Sequence, residues 1–307
     1  MSFPLEAYDR VAASPEDFRL AVRVPFSGFN EFSSFPVALT SPQGDEKPLV
    51  FLAMNTTGRF PYGEMTELAL VRALYSPSMG TVTAITGVYS GLETGKAKLS
   101  EERVKAMGYN PKMASEARFD EIKIATLLEG KPLILCAQAR ERRPYFDRRF
   151  QGSLDELPWG EAVLDLAWGD LTAGRLGSVG EVSTYVSLPV MVNELYSFYN
   201  PYSAREEALT LVWLMHSFKP VFEAVLGRLD QEVYIVEARY LPYDFKDQVK
   251  ARRYRWSPER RVWYRECSSE NLLNTEIKFL SELYDPDQSK INVVNFTVTP
   301  FKAFKAQ

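Results

Sequence analysis

Three apolar runs lie almost back to back between Pro48 and Ser90, and they constrain the fold more than any other feature of this chain. The first, PLVFLAMNTT (48–57), stops at Gly58 with Pro61 and Gly63 beyond it, and reads as a buried strand entering a turn. TELALVRALY (66–75) and TVTAITGVYS (81–90) follow as two further strands, separated by the turn signal Ser76-Pro77-Ser78-Met79-Gly80. A three-strand meander of this composition needs helices to cover it. Helical spacing begins downstream, with Val104 and Met107 in LSEERVKAMG (99–108) and Gly108 suited to end that helix. PLILCAQA (132–139) reads as another buried strand, and residues 205–216 place Ala208, Leu211, Val212 and Met215 on one helical face. The sum is an α/β fold, a sheet covered by helices.

A second unit opens near Glu232. EVYIVEARY is strand-like, Asp244 is positioned to cap a helix running through Arg253, and RVWYREC returns as a strand. Ser268 or Ser269 caps a last helix in which Leu273, Ile277, Leu280 and Tyr284 recur at helical spacing. The expected organisation is an extension packing on the main domain (1–47), the main domain (48–230), a small basic α+β domain (231–284) and a tail (285–307).

With 307 residues, 46% of them hydrophobic and 13% aromatic, the chain is long and apolar enough for a sizeable core. A net charge of −4 gives no global attraction to nucleic acid, so any basic site must be local. Cys136 and Cys267 lie far apart and lack a CxxC partner, which argues against a disulfide framework or a cysteine zinc site and favours a reducing, cytoplasmic setting. The N-terminal residues lack the basic and apolar regions of a signal peptide, and no apolar run is long enough to span a bilayer, so no membrane partner is expected. His216 is the only histidine, which removes chemistries that need a histidine pair or triad, and its place at the end of LVWLMH points to a structural role.

Particular words in this pattern narrow the fold. Ala53-Met54-Asn55-Thr56-Thr57-Gly58, Met65-Thr66-Glu67-Leu68-Ala69-Leu70-Val71 and Ala137-Gln138-Ala139-Arg140-Glu141-Arg142-Arg143-Pro144-Tyr145 resemble the successive motifs of the DEDDh 3′-5′ exonucleases. This is the RNase H-like family of the DNA polymerase III epsilon subunit and RNase T. Its first strand carries Asp-x-Glu-Thr-Thr-Gly, and its second motif is similar to His-Asn-Ala-Arg-Phe-Asp-Arg-Pro-Phe. The third, similar to Gly-His-Arg-Ala-x-x-Asp-Ala, falls on Pro201-Tyr202-Ser203-Ala204-Arg205-Glu206-Glu207-Ala208. The resemblance extends upstream to DFRLAVRVP and downstream through KDQVKARRYRWSPERRVWY, a small unit found on some bacterial members.

The resemblance implies an RNase H-like mixed sheet flanked by helices. It also implies a site in which four carboxylates hold two magnesium or manganese ions and a histidine deprotonates water. Here Ala53 and Asn55 stand where two of the acids would be, Arg142 replaces the third, Tyr202 stands at the histidine and Glu207 alone remains acidic. Magnesium prefers hard oxygen ligands in near-octahedral geometry. Arg142 instead brings a permanent cation, and two unit positive charges 4 Å apart repel by about 4 kcal/mol at an effective dielectric near 20. The expectation is a pseudonuclease that has lost its metal cofactor; the lesser alternative, a residual metal-dependent 3′-5′ exonuclease, needs the nearby acids Glu64, Glu141, Asp165 and Glu206 to rescue metal binding. Arg142 either binds phosphate through its fork of donors or pairs with Glu207 or Glu141 inside the old cleft; pairing is favoured because buried charges need partners.

Between Lys246 and Arg265 the balance is strongly positive: Lys246, Lys250, Arg252, Arg253, Arg255, Arg260, Arg261 and Arg265 against Asp247 and Glu259. Trp256, Trp263 and Tyr264 are interleaved with them, a mixture that suits phosphate contact with base stacking. The competing reading makes the tryptophans the core of a small unit and the arginines its solvated surface. Two functions are therefore carried forward. One is non-cutting binding of DNA or RNA through Arg142 or the basic unit. The other is a docking or inhibitor role toward a protein, with Phe29, Phe32, Phe35, Phe296, Phe301 and Phe304 as apolar contacts.

Overall fold

The computed structural model of the chain describes residues 6–15, 18–26, 34–94, 99–114, 116–152, 154, 156–163, 188–229, 232–257, 260–267, 269–297 and 300. The chain divides into two compact units, one running to Leu226 and the other spanning Gly227–Ala303. The first unit opens with α1 (Glu6–Ala13) and the short strands β1 (Val22–Arg23) and β2 (Val37–Ala38). The long meander follows as β3 (Lys47–Thr56), β4 (Met65–Ser76) and β5 (Thr81–Leu92). Then come α2 (Glu101–Ala106), α3 (Pro111–Ala114), α4 (Glu121–Leu127), β6 (Leu133–Cys136), α5 (Ala139–Arg149) and β7 (Trp159–Glu161). The unit ends with α6 (Leu188–Glu194), β8 (Ser197–Phe198), α7 (Ala204–Ser217) and α8 (Lys219–Gly227).

The large sheet has the order β2-β5-β4-β3-β6-β7. The meander strands pair antiparallel, whereas β6 joins β3 and β7 joins β6 in parallel. The fold is thus α/β, with a mixed six-stranded sheet flanked by helices. β3 runs through its centre and is apolar on both faces, so each parity of its side chains builds a separate core. Leu49, Phe51 and Ala53 pack with Val71, Leu135 and the α7 residues Ala208, Leu211, Val212 and Met215. Val50, Leu52 and Met54 pack on the other face with Ile124 of α4, Phe146 of α5 and Trp159. Fully burying an aromatic such as Phe51 contributes about 1.5–3 kcal/mol.

Several local expectations shift by a few residues for identifiable reasons. The strand expected over 132–139 stops at Cys136, because Gln138 takes a left-handed conformation (φ 57°) and α5 starts at Ala139. The helix expected over 99–108 spans Glu101–Ala106, capped by Ser100, with Gly108 at φ 90° turning the chain out of it. Ser203 caps α7 by accepting from the Glu206 N–H. His216 at the end of α7 bonds the Val82 carbonyl through Nδ1 at 2.8 Å, a structural contact. No single helix among the described residues is long and apolar enough to cross a membrane.

The second unit is a four-stranded antiparallel sheet backed by helices, built from β9 (Glu232–Ala238), α9 (Lys246–Ala251), β10 (Arg255–Ser257), β11 (Val262–Cys267), α10 (Glu270–Leu283) and β12 (Ile291–Thr297). Its strand order is β10-β11-β9-β12. Residues 285–307, expected as a tail apart from this unit, instead contribute β12, which pairs with β9 over seven positions from Ile291↔Ala238 to Thr297↔Glu232. Asp244 does not cap a helix: it lies in a 3₁₀ turn, Tyr243–Phe245, and α9 begins without a side-chain cap. Ser269 caps α10 by accepting from the Leu272 N–H, and Ser268 lies outside the described residues. Leu273 and Leu280 of α10 pack on Val236, Ala238 and Cys267.

Glu276 is the electrostatic centre of that core. Its side chain is fully buried and receives Arg252 through Nε (3.1 Å) and Nη2 (2.6 Å), and Arg265 through Nη1 (2.6 Å). Arg265 is itself nearly buried, so deleting the acid strands a desolvated cation. Glu276→Ala should lower the stability of the second unit by about 3–5 kcal/mol in equilibrium urea unfolding. A loss below 1 kcal/mol would show that solvent already neutralises these arginines.

Candidate functional site

One end of the large sheet gathers the first set of candidate residues. The C-terminal ends of β3, β6 and β7 meet the start of β4 and the first turns of α5 and α7 there. Asn55 and Glu67 are register partners on β3 and β4, on the same face as Ala53 and Ala69. Arg142 comes from α5, packed on one face, and Glu207 from α7, packed on the other.

Arg142 reaches Glu207 with both ends of its guanidinium, Nη1 to Oε1 at 2.5 Å and Nη2 to Oε2 at 3.0 Å. The side chains are 14% and 9% exposed, so this is a nearly buried, bidentate, charge-assisted pair. Burial opposes the Arg142 charge, but the Glu207 carboxylate outweighs it and raises the guanidinium further above its ordinary value. Of the two uses expected for Arg142, the geometry shows the ion pair with Glu207, while Glu141 on the same helix is exposed. Cys136 lies beside the pair at the end of β6, where burial pushes its thiol up to about 12. Tyr199 is also buried there, its phenol raised by burial and by Glu207.

The other family positions hold no free ligand. Ala53 is fully buried within the apolar cluster. The Asn55 amide donates from Nδ2 to Glu67 Oε2 (2.6 Å) and to the Tyr202 carbonyl oxygen (2.8 Å). Tyr202 meets Asn55 through its backbone, and its side chain is 64% exposed, turned outward rather than committed to a buried contact. Glu206, a candidate for rescue, is held by Arg23 Nη2 (2.6 Å) and the Asn200 N–H (2.8 Å). Glu64 contributes a backbone contact to Thr57, and Asp165 lies outside the described residues. Among the described residues no three His, Cys, Asp or Glu side chains are arranged to hold a metal ion.

Two acids at this end of the sheet were not singled out from the sequence. Glu67 is fully buried; its Oε2 accepts from Asn55 and from the Ala204 N–H (3.1 Å), and the Tyr109 side chain also faces its carboxyl. Burial, only partly offset by those donors, pushes its carboxyl up to about 7. A charged residue inside the apolar run TELALV is the signal that could have marked it. Glu161, at the end of β7, accepts from the N–H groups of Gln138 (3.0 Å), Ala139 (2.8 Å) and Val163 (3.0 Å). The left-handed Gln138 turns two of these N–H groups toward one carboxyl at the N-terminus of α5; burial outweighs these donors and pushes Glu161 up to about 7. No local sequence pattern announces Glu161.

The basic segment of the second unit separates into two groups. Arg252 and Arg265 are spent on Glu276, and Arg260 Nη1 meets Glu237 Oε1 at 2.5 Å. Glu237 also accepts from Arg239 and Asn292. Arg255 and Arg261 are exposed and make no ion pair among the described residues. Arg253 is half-buried with a left-handed backbone (φ 67°). Lys246 lies over the Tyr243 ring at 3.6 Å, and Lys250 lies 3.7 Å from Asp247 and 5.8 Å from the Trp263 ring centre. Trp263 packs on the core, as expected, whereas Trp256 stands outside it at 46% exposure.

Of the phenylalanines expected as protein contacts, Phe35 is 40% exposed. Phe29, Phe32, Phe301, Phe304 and the Phe296 side chain lie outside the described residues. No family model matches the chain, and no curated protein shows significant similarity to it.

Two measurements test this site. Arg142→Met leaves Glu207 buried without a partner and should cost about 3–5 kcal/mol, while adding Glu207→Leu should recover most of the loss; additive losses in the double-mutant cycle would deny the pair. For Glu67, the carboxyl titrates near 4.5 when unfolded and near 7 when folded. The folded state therefore holds one more proton between those values. Stability should fall as pH rises through that window, by up to about 1.4 kcal/mol per pH unit, and this contribution should be flat outside it. Burial raises Glu161 to about 7 as well and adds a slope over the same window, so Glu67→Gln should remove roughly half of the total from urea unfolding curves collected across pH.

Proposed function

We propose that the chain is a catalytically inactive relative of the DEDDh 3′-5′ exonucleases, one that binds nucleic acid without cutting it. The Arg142–Glu207 pair carries this reading. At the point where the family resemblance calls for carboxylates around a divalent ion, a guanidinium neutralises the one remaining acid. A metal entering there would have to break two charge-assisted hydrogen bonds and then sit beside a fixed cation. The order β5-β4-β3-β6-β7, antiparallel through the meander and parallel beyond it, supports the RNase H-like part of the reading.

The absence of an available histidine near the cleft fits the same conclusion, since His216 is committed to Val82 in the structural core. We assign nucleic-acid contact to the second unit, where Arg255 and Arg261 are exposed and make no ion pair among the described residues, and not to Arg142. Purified protein incubated with single- and double-stranded DNA and RNA, with magnesium or manganese, should release no nucleotides. Turnover that is abolished by Glu207→Gln would overturn the reading.

A further inference from the structure

The edge of the second sheet carries a combination that the fold does not use. β10 is an edge strand, with β11 on one side only. Trp256 and Trp263 are cross-strand partners with ring centres 5.6 Å apart and planes inclined at 56°. Trp263 is seated on the apolar core, so it fixes the inner ring. Trp256 packs against it in a tilted contact, with nearly half its surface open to water. Successive strand residues point to opposite faces, which puts Arg255 on the other side of the same edge. Lys250 lies near Trp263, and Arg261 stands in the turn leading into β11.

We infer that this edge is a stacking platform for single-stranded nucleic acid, with an unpaired base on Trp256 and phosphates on Lys250, Arg255 and Arg261. The inference rests on the proposed nucleic-acid reading and assigns its contact surface. Charge selects a polyanion: the segment from Lys246 to Arg265 holds eight basic residues against two acidic ones. Internal pairing then limits the contact: Arg252, Arg260 and Arg265 are held at short range by buried carboxylates, whereas Lys250 meets only the exposed Asp247 at 3.7 Å, a pair that water screens. Stacking selects the single strand. A base inside a duplex already has neighbours on both faces, whereas an unpaired base presents an open π-face to an indole.

The contact set makes the affinity weakly salt-dependent. Three phosphates on a single strand give a slope of log K against log salt of about −2, far shallower than the whole basic segment would give. The test uses the full chain with labelled oligothymidylate, oligouridylate and a duplex of equal length, followed by anisotropy and tryptophan quenching. Single strands should bind and quench, and the duplex should bind more weakly. Trp256→Ala should weaken binding roughly 5- to 150-fold while Trp256→Phe, which keeps an aromatic face, retains most of it. Arg255→Ala with Arg261→Ala should make the salt slope shallower without removing the quenching.

Equal binding by wild type and Trp256→Ala, or equal affinity for single strand and duplex, would overturn this assignment while leaving nucleic-acid binding intact. Absence of binding to every strand at low salt would overturn the broader reading as well. The DNA and RNA arms separate the two sources of the same chemistry, a preference for oligouridylate pointing to RNA.

Discussion

Arg142 and Glu207 come from helices on opposite faces of the large sheet and meet across the end of its central strands. Neither charge is tolerable there alone. A carboxylate and a guanidinium that are each mostly buried must satisfy one another, so the pair ties α5 to α7 and fixes the charge of the space between them. Its bidentate geometry recovers Coulombic energy while satisfying both carboxylate oxygens. Such a pair adds little net stability over a well-packed apolar substitute, yet breaking it from one side is expensive.

The surrounding residues follow from the same constraint. The Asn55 amide bridges Glu67 and the Tyr202 carbonyl, so β3 and the loop before α7 are joined by hydrogen bonds. Glu67 remains acidic in type, but burial moves its proton affinity to the neutral range. Below that range this end of the sheet holds two neutral acids, Glu67 and Glu161, beside the Arg142–Glu207 and Arg23–Glu206 ion pairs. Glu161 is likewise satisfied internally, by backbone N–H groups that the left-handed Gln138 directs toward it.

The central strands and the helix carrying Glu207 were legible from sequence because their apolar residues recur at strand and helix periods, the strands ending at Gly58 and at Ser76–Gly80. The Arg142 partner was legible as well, since a buried cation requires an acid and Glu207 was one of two named. β12 was not legible: Ile291–Thr297 alternates too weakly for its own pattern to declare it, and it becomes a strand only because β9 offers an open edge. The partition of the basic segment also depends on tertiary contacts. Nothing local distinguishes Arg255 from Arg252 until α10 places Glu276 against one of them. Glu161 escaped for the same reason, its role being defined by a turn more than twenty residues upstream.

The direct test of the central claim is a crystal of the protein soaked in manganese, with anomalous differences measured at the cleft. The account predicts Arg142 in bidentate contact with Glu207 and no manganese peak beside them. A manganese ion on Glu207 or Glu67, with Arg142 swung away, would contradict it.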